Sequence, residues 1–128
     1  LQRTGQPKIA TDFAVPDAGL EPLLDAYGQV PHDHVLFGHL GDNHLHLNLL
    51  PRDQDEVDAA RQTWNDLARL AVTLGGTVSA EHGIGKLKRH LLERMVGPGV
   101  MEQFCRLKNH LDPSWILNRG TLLQPPAT

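Results

Sequence analysis

Three histidines (His39, His44, His46), one aspartate (Asp42) and two asparagines (Asn43, Asn48) fall within eleven leucine-rich residues, GHLGDNHLHLN, at 38–48. Imidazole nitrogen binds zinc and its neighbours in the first transition row, and two histidines with one carboxylate leave a coordination position open for substrate. A second group follows in SAEHGIGKLK, residues 79–88, where Glu81 and His82 precede Gly83 and Gly85. Glycines at such positions permit positive φ and close approach of backbone to a ligand. Glu81 can complete a metal set with His39 and His46. His82, unligated beside the cation, then suits a general base, because a nearby positive charge favours its neutral form. Lys88, further along, can hold a substrate carboxylate or a flavin oxygen. Each residue also has a plainer use: histidine on a solvated strand, Asp42 in a turn, Glu81 near a helix N-terminus, and His32, His34, His90 and His110 at the surface.

These groups need a hairpin to position them. HVLFGHL and HLHLNLL read as two strands, and Asp42-Asn43 reads as a two-residue type I′ loop, since both residue types tolerate positive φ. Counting from that loop sets His39 opposite His46, with Cβ atoms about 4.5–5.5 Å apart. Alternation then divides the side chains: Leu36, Leu40, Leu45, Leu47 and Leu49 on a core face, and Phe37, His39, His44, His46 and Asn48 on a face turned to a cleft, to solvent or to another domain.

Around the hairpin, LEPLLDAYGQV from Leu20 predicts a short amphipathic helix stopped by Gly28. Val57, Ala60, Trp64, Leu67, Ala68, Ala71 and Leu74 recur at the helical period between Asp53 and Leu74, with an aspartate to cap the start and Gly75-Gly76 to close the end. GTVSA predicts a third short strand, and shorter helices follow near Leu87–Met95 and Val100–Leu111. Residues 1–18 read as a connector, with KIATDFAV a possible edge strand between Pro7 and Pro16. Residues 19–112 form an α+β domain, and 113–128 an irregular tail. The expected fold is α+β, a ferredoxin-like antiparallel sheet with packed helices.

The composition narrows the partners. A formal net charge of -3 without a long Lys/Arg run speaks against nucleic acid, and no apolar run reaches the roughly 20 residues that span a bilayer. Cys105 is the single cysteine. That excludes an internal disulfide and fits a reducing compartment, so a soluble, cytoplasmic protein is expected. Because the chain starts at Leu1, it is expected to be a piece of a longer polypeptide.

Three segments in this order, GHLGDNHLHLN, VSAEHGIGKLK and LDPSWILNRG, resemble the C-terminal region of FAD-linked oxidases of the vanillyl-alcohol-oxidase type. That group includes the glycolate oxidase D-subunit, D-lactate dehydrogenase and D-2-hydroxyglutarate dehydrogenase, and the resemblance runs from about Lys8 to about Leu123. It implies a cap domain that completes an active site whose FAD sits on a separate N-terminal domain of the same polypeptide. By position it implies His39, His46 and Glu81 as ligands of a divalent metal, zinc first, His82 as catalytic base and Asn48 as a substrate contact. Lys88 matches the lysine that follows the glycine pair, and Asn118 would return to the flavin. The family commonly has glycine-asparagine where this chain has Asn43-His44, which makes His44 an extra imidazole on the ligand face. It also has proline and lysine where this chain has Arg119 and Thr121.

The implied activity is metal-assisted oxidation of a small D-2-hydroxy acid, with the isolated chain inactive for want of its flavin. Two other classes fit the same residues. A metal-dependent hydrolase would use the open position for water, although no HExxH helix and no second acidic base is present. A noncatalytic α+β binding module would leave the histidines solvated.

Overall fold

The structure, a computed structural model, describes Gly5 and residues 7–124; the remaining residues of the expected connector and tail lie outside the described residues. The chain divides into two compact units, residues 1–82 and 83–128. The fold is α+β, with four helices and an antiparallel sheet among the described residues.

In the first unit the sheet is built around β4 (His44–Leu49), flanked on one side by β3 (His34–His39) and on the other by β1 (Ile9–Ala10) and β2 (Phe13–Ala14). Ile9 lies opposite Leu49, Ala10 opposite Asn48, Phe13 opposite Leu45 and Ala14 opposite His44, one unbroken register. The Thr11 amide donates to the Leu47 carbonyl at 3.0 Å between the two pieces. KIATDFAV thus behaves as a single strand laid along β4, and alternation sets Asp12 on the same face as His44 and His46.

The hairpin forms, but in a different register from the one expected. Leu40–Asp42 winds into a 3-10 turn, and Asn43 takes the left-handed conformation at φ 50 while its amide donates to the Leu40 carbonyl at 3.2 Å. Four residues close the loop in place of Asp42-Asn43 alone, so His39 pairs with His44, Phe37 with His46 and Leu36 with Leu47. His39 is therefore not opposite His46. The slip is two residues, and with a side-chain period of two each side chain keeps its face.

Helices α1 (Asp17–Gly28) and α2 (Gln54–Thr73) cover the leucine face. Phe13, Leu23, Tyr27, Leu47, Leu49, Val57, Ala60, Ala68, Ala71 and Val78 are buried together, and the Phe13 and Trp64 rings meet at 5.6 Å. The Asp53 carboxylate accepts the Glu56 amide at 2.9 Å, the cap that starts α2. At the far end Gly76 lies so close to β2 that a Cβ there would stand 2.3 Å from the Ala14 carbonyl oxygen. Two expectations about the leucine face are corrected: Leu36 is 41% and Leu40 63% exposed, because β3 is the edge strand and Leu40 belongs to the turn. The imidazole face of β4 is not solvated either, since His44, His46 and Asn48 are all buried.

GTVSA does not form a third strand. Thr77 makes one bridge with Ala14, hydrogen-bonded in both directions at 2.8 and 3.2 Å, and the chain then leaves the sheet. The Ser79 amide turns back to Thr77 Oγ1 at 3.1 Å, and the three amides after it are taken by Asp12: Ala80 donates to its carbonyl, and Glu81 and His82 to its carboxylate.

The second unit holds α3 (Arg89–Val96), α4 (Pro98–Leu111) and the tail. Asp112 organises the tail start: its carboxylate accepts from Lys108 Nζ at 2.6 Å and from the amides of Ile116 and Leu117 at 3.2 and 3.0 Å. The Lys108 ammonium, aided by those amides, holds the Asp112 carboxyl below the usual carboxylate range. Arg89 donates to the Gly120 carbonyl at 2.8 Å. Among the described residues no helix is long and apolar enough to cross a membrane.

Candidate functional site

The site lies on the imidazole face of the sheet, where the segment leaving Thr77 crosses β4. His46 Nε2 stands 3.0 Å from Glu81 Oε1, and His82 Nε2 stands 3.1 Å from the same oxygen. The His46 and His82 rings stack at 5.2 Å with 13° between their planes. His44 meets His46 edge-on at 4.4 Å and places its Nε2 3.1 Å from Asp12 Oδ1. Phe37 closes over His46 from β3, ring centroids 5.2 Å apart.

One hydrogen bond fixes where His46 carries a ring hydrogen. Its Nδ1 lies 3.1 Å from the Thr11 carbonyl oxygen, which can only accept, so Nδ1 carries the hydrogen. Neutral His46 then has a lone pair on Nε2, facing a carboxylate oxygen at hydrogen-bond distance. Two acceptors at that separation are held together by a positive charge between them, a proton or a metal ion. A ring nitrogen tied to a backbone carbonyl with the other facing outward is also the usual arrangement of a metal-ligating histidine.

Asp12, His44, His46 and Glu81 each offer a ligand atom, all within 4.8 Å of one another. Zinc bonds of about 2.0–2.2 Å in tetrahedral geometry separate donor atoms by roughly 3.3 Å, so the His46–Glu81 spacing fits a shared cation. Of the residues singled out in the sequence, the fold brings together His46, Glu81 and His82, with buried Asn48 two positions along the same face. His39 sits at the exposed end of β3, its ring 5.7 Å from that of His44. It is diagonal to His46, a Cβ separation of about 7–8 Å or somewhat less, which long side chains still span. Lys88, preceding α3, and Asn118, with φ 46, belong to the second unit. There Asn118 lines an apolar cleft of about 340 Å³ together with Phe104, Leu107, Leu117 and Leu122. Asp12 escaped the sequence reading. The alternation Ala10, Asp12, Ala14 within KIATDFAV was the available signal, and it needed the strand's pairing partner to become informative.

The family described as FAD linked oxidases, C-terminal domain, matches residues 2–122. The chain belongs to this family. Among curated relatives it is 34% identical over 132 residues to "Probable D-lactate dehydrogenase, mitochondrial" of Danio rerio, covering 98% of this chain and 27% of that protein. It is 29% identical over 133 residues to "Glycolate oxidase subunit GlcD" of Bacillus subtilis, covering 99% and 28%. It is 38% identical over 106 residues to "D-2-hydroxyglutarate dehydrogenase" of Xanthomonas citri pv. viticola, covering 80% and 22%. The chain thus spans about a quarter of the length of these relatives. It is a domain of an FAD-linked oxidoreductase family, and its imidazole face lies within the matched residues.

Proposed function

We propose that this chain supplies the substrate-facing part of an FAD-dependent enzyme that oxidises a D-2-hydroxy acid, or glycolate, to the 2-oxo acid with the help of a divalent cation, zinc first. The observation that supports it most is the pair of acceptors, His46 Nε2 and Glu81 Oε1, set 3.0 Å apart on a buried imidazole face. When bound, the cation supplies a Lewis acid and FAD a hydride acceptor.

The chain's own residues divide the remaining work. His46 and Glu81 hold the cation, with His39 reaching in from the end of β3 as the third ligand. His82, whose side chain is 57% exposed, accepts the substrate hydroxyl proton, and Glu81 Oε1, 3.1 Å from its Nε2, stabilises the imidazolium so formed. Asn48 offers an amide donor and acceptor to the substrate from the same face. Lys88 pairs with the substrate carboxylate, and Asn118, on its apolar cleft, contacts the flavin, which is held mainly by a part of the protein outside this chain. Alone, the chain lacks a hydride acceptor and does not turn over. A soluble, cytoplasmic enzyme without nucleic-acid partners completes the reading.

One observation favours a second ligand set: His44, not His39, has a ligand atom within 4.8 Å of those of His46 and Glu81. Calorimetric titration of zinc into the chain and into its His46→Ala, Glu81→Gln, His39→Ala and His44→Ala variants separates these possibilities. Loss of binding in the first two supports the metal site, and whichever of the last two loses affinity names the third ligand. Unchanged affinity in both His46→Ala and Glu81→Gln would discard it.

A further inference from the structure

Asp12 is only 1% exposed, yet at least four donors reach its carboxylate. Oδ1 faces His44 Nε2 at 3.1 Å and accepts the Glu81 amide at 3.2 Å. Oδ2 accepts the Ser79 hydroxyl at 3.2 Å and the His82 amide at 3.0 Å. A carboxylate has about four acceptor positions, so these donors use its capacity. Its backbone carbonyl takes the Ala80 amide at 3.1 Å as well. Three successive main-chain amides, 80–82, therefore end on one residue of the neighbouring strand, in a segment that forms no strand or helix of its own.

We propose that Asp12 is the positioning residue of this site: it holds the Glu81–His82 segment down on the imidazole face and fixes His44 as the Nε2–H tautomer. Its effect on affinity rests on the metal reading above; its geometry does not. Glu81 and His82 have side chains 45% and 57% exposed, so the surrounding packing does little to place them. What sets their backbone over His46 is the anchor below. His44, oriented by the same carboxylate, abuts His46 edge-on and restricts that ring in turn.

The isosteric change Asp12→Asn tests this, because an amide keeps the size but loses half the acceptors. Each carboxylate oxygen receives one main-chain amide, so whichever way the asparagine is turned, its NH2 confronts either Glu81 N–H or His82 N–H. In the 128-residue chain, with near-ultraviolet circular dichroism showing the variant folded, zinc affinity is expected to fall by about 10- to 100-fold, as for loss of a residue that orients a ligand. Amide hydrogen exchange at 80–82 should accelerate together with it. A folded variant with native affinity and native exchange at these amides would overturn the proposal.

Should the variant not fold, the native chain decides. Slow exchange at the Glu81 and His82 amides, about 100-fold or more below that of an unstructured segment, with a nitrogen NMR signature of His44 protonated at Nε2, supports the anchor. Unprotected amides, or a His44 protonated at Nδ1 alone, refute it. A native chain that binds no zinc but shows the protected amides removes the metal reading and leaves the anchor in place.

Discussion

Tyr27 offers a quantitative test of how the sheet that carries the site is held. It is the chain's one tyrosine, 1% exposed, and its hydroxyl donates to the Leu45 carbonyl at 3.3 Å, one residue from His44, while lying 3.3 Å from Thr11 Oγ1. Burial pushes its pKa up to about 12, against a smaller lowering by the Thr11 hydrogen bond. Relative to about 10 for a free phenol, and at 1.36 kcal/mol per unit, the neutral form is favoured in the folded state by about 2.7 kcal/mol. A raised pKa contributes stability that is complete below the unfolded value and is lost as pH rises through the folded one. Unfolding should therefore become easier by about 1.4 kcal/mol per pH unit between about 10 and 12. Phenolate absorbance followed against pH, with denaturant melts at each pH, measures both quantities on a single chromophore. Tyr27→Phe should abolish the slope while costing about 1 kcal/mol at neutral pH for the lost hydrogen bond. A phenol titrating near 10 in a chain still folded by circular dichroism would refute the burial argument.

Other consequences follow from the same packing. Asp53→Ala removes the cap of α2 and should cost about 1 kcal/mol in a urea melt, with Asp53→Asn nearly silent. Gly38→Ala places a Cβ 2.4 Å from the His44 carbonyl oxygen and 2.9 Å from Leu45 Cα, at φ +150. It should shift the hairpin and weaken zinc binding without touching a ligand, which calorimetry on the folded variant would show. In the second unit the lowered Asp112 pKa contributes stability that is present above about pH 3.9 and lost as pH falls through the folded value. Lys108→Met should therefore move the acid transition seen by Trp115 fluorescence to higher pH, read in a Trp64→Phe background.

The legible parts of this fold are those where one residue pattern decides one element. Helix α2 could be read from its period and its aspartate cap, and the two faces of the hairpin from alternation alone. Its register could not, because Asp42-Asn43 suits a two-residue turn by residue type while Leu40 and Gly41 join a longer turn in the folded chain. The slip of two spared the faces and moved His39 from opposite His46 to the diagonal. GTVSA has the composition of a strand, but its Ala80 amide and the Glu81 and His82 amides after it go to Asp12, a tertiary demand that no local pattern announces. For the same reason Asp12 itself was hidden: a lone aspartate in a presumed connector acquires meaning only when β4 lies beside it. Glu81 and His82 stood out through residue type and the glycines after them, and the fold brings both to His46.

The most direct test of the account is X-ray absorption at the zinc edge of the zinc-loaded chain. A cation shared by His46 and Glu81 predicts a first shell of nitrogen and oxygen at about 2.0–2.2 Å with imidazole outer-shell scattering, and loss of an imidazole contribution in His46→Ala. A spectrum of hydrated zinc without imidazole scattering, identical in the native chain and in His46→Ala, would contradict it.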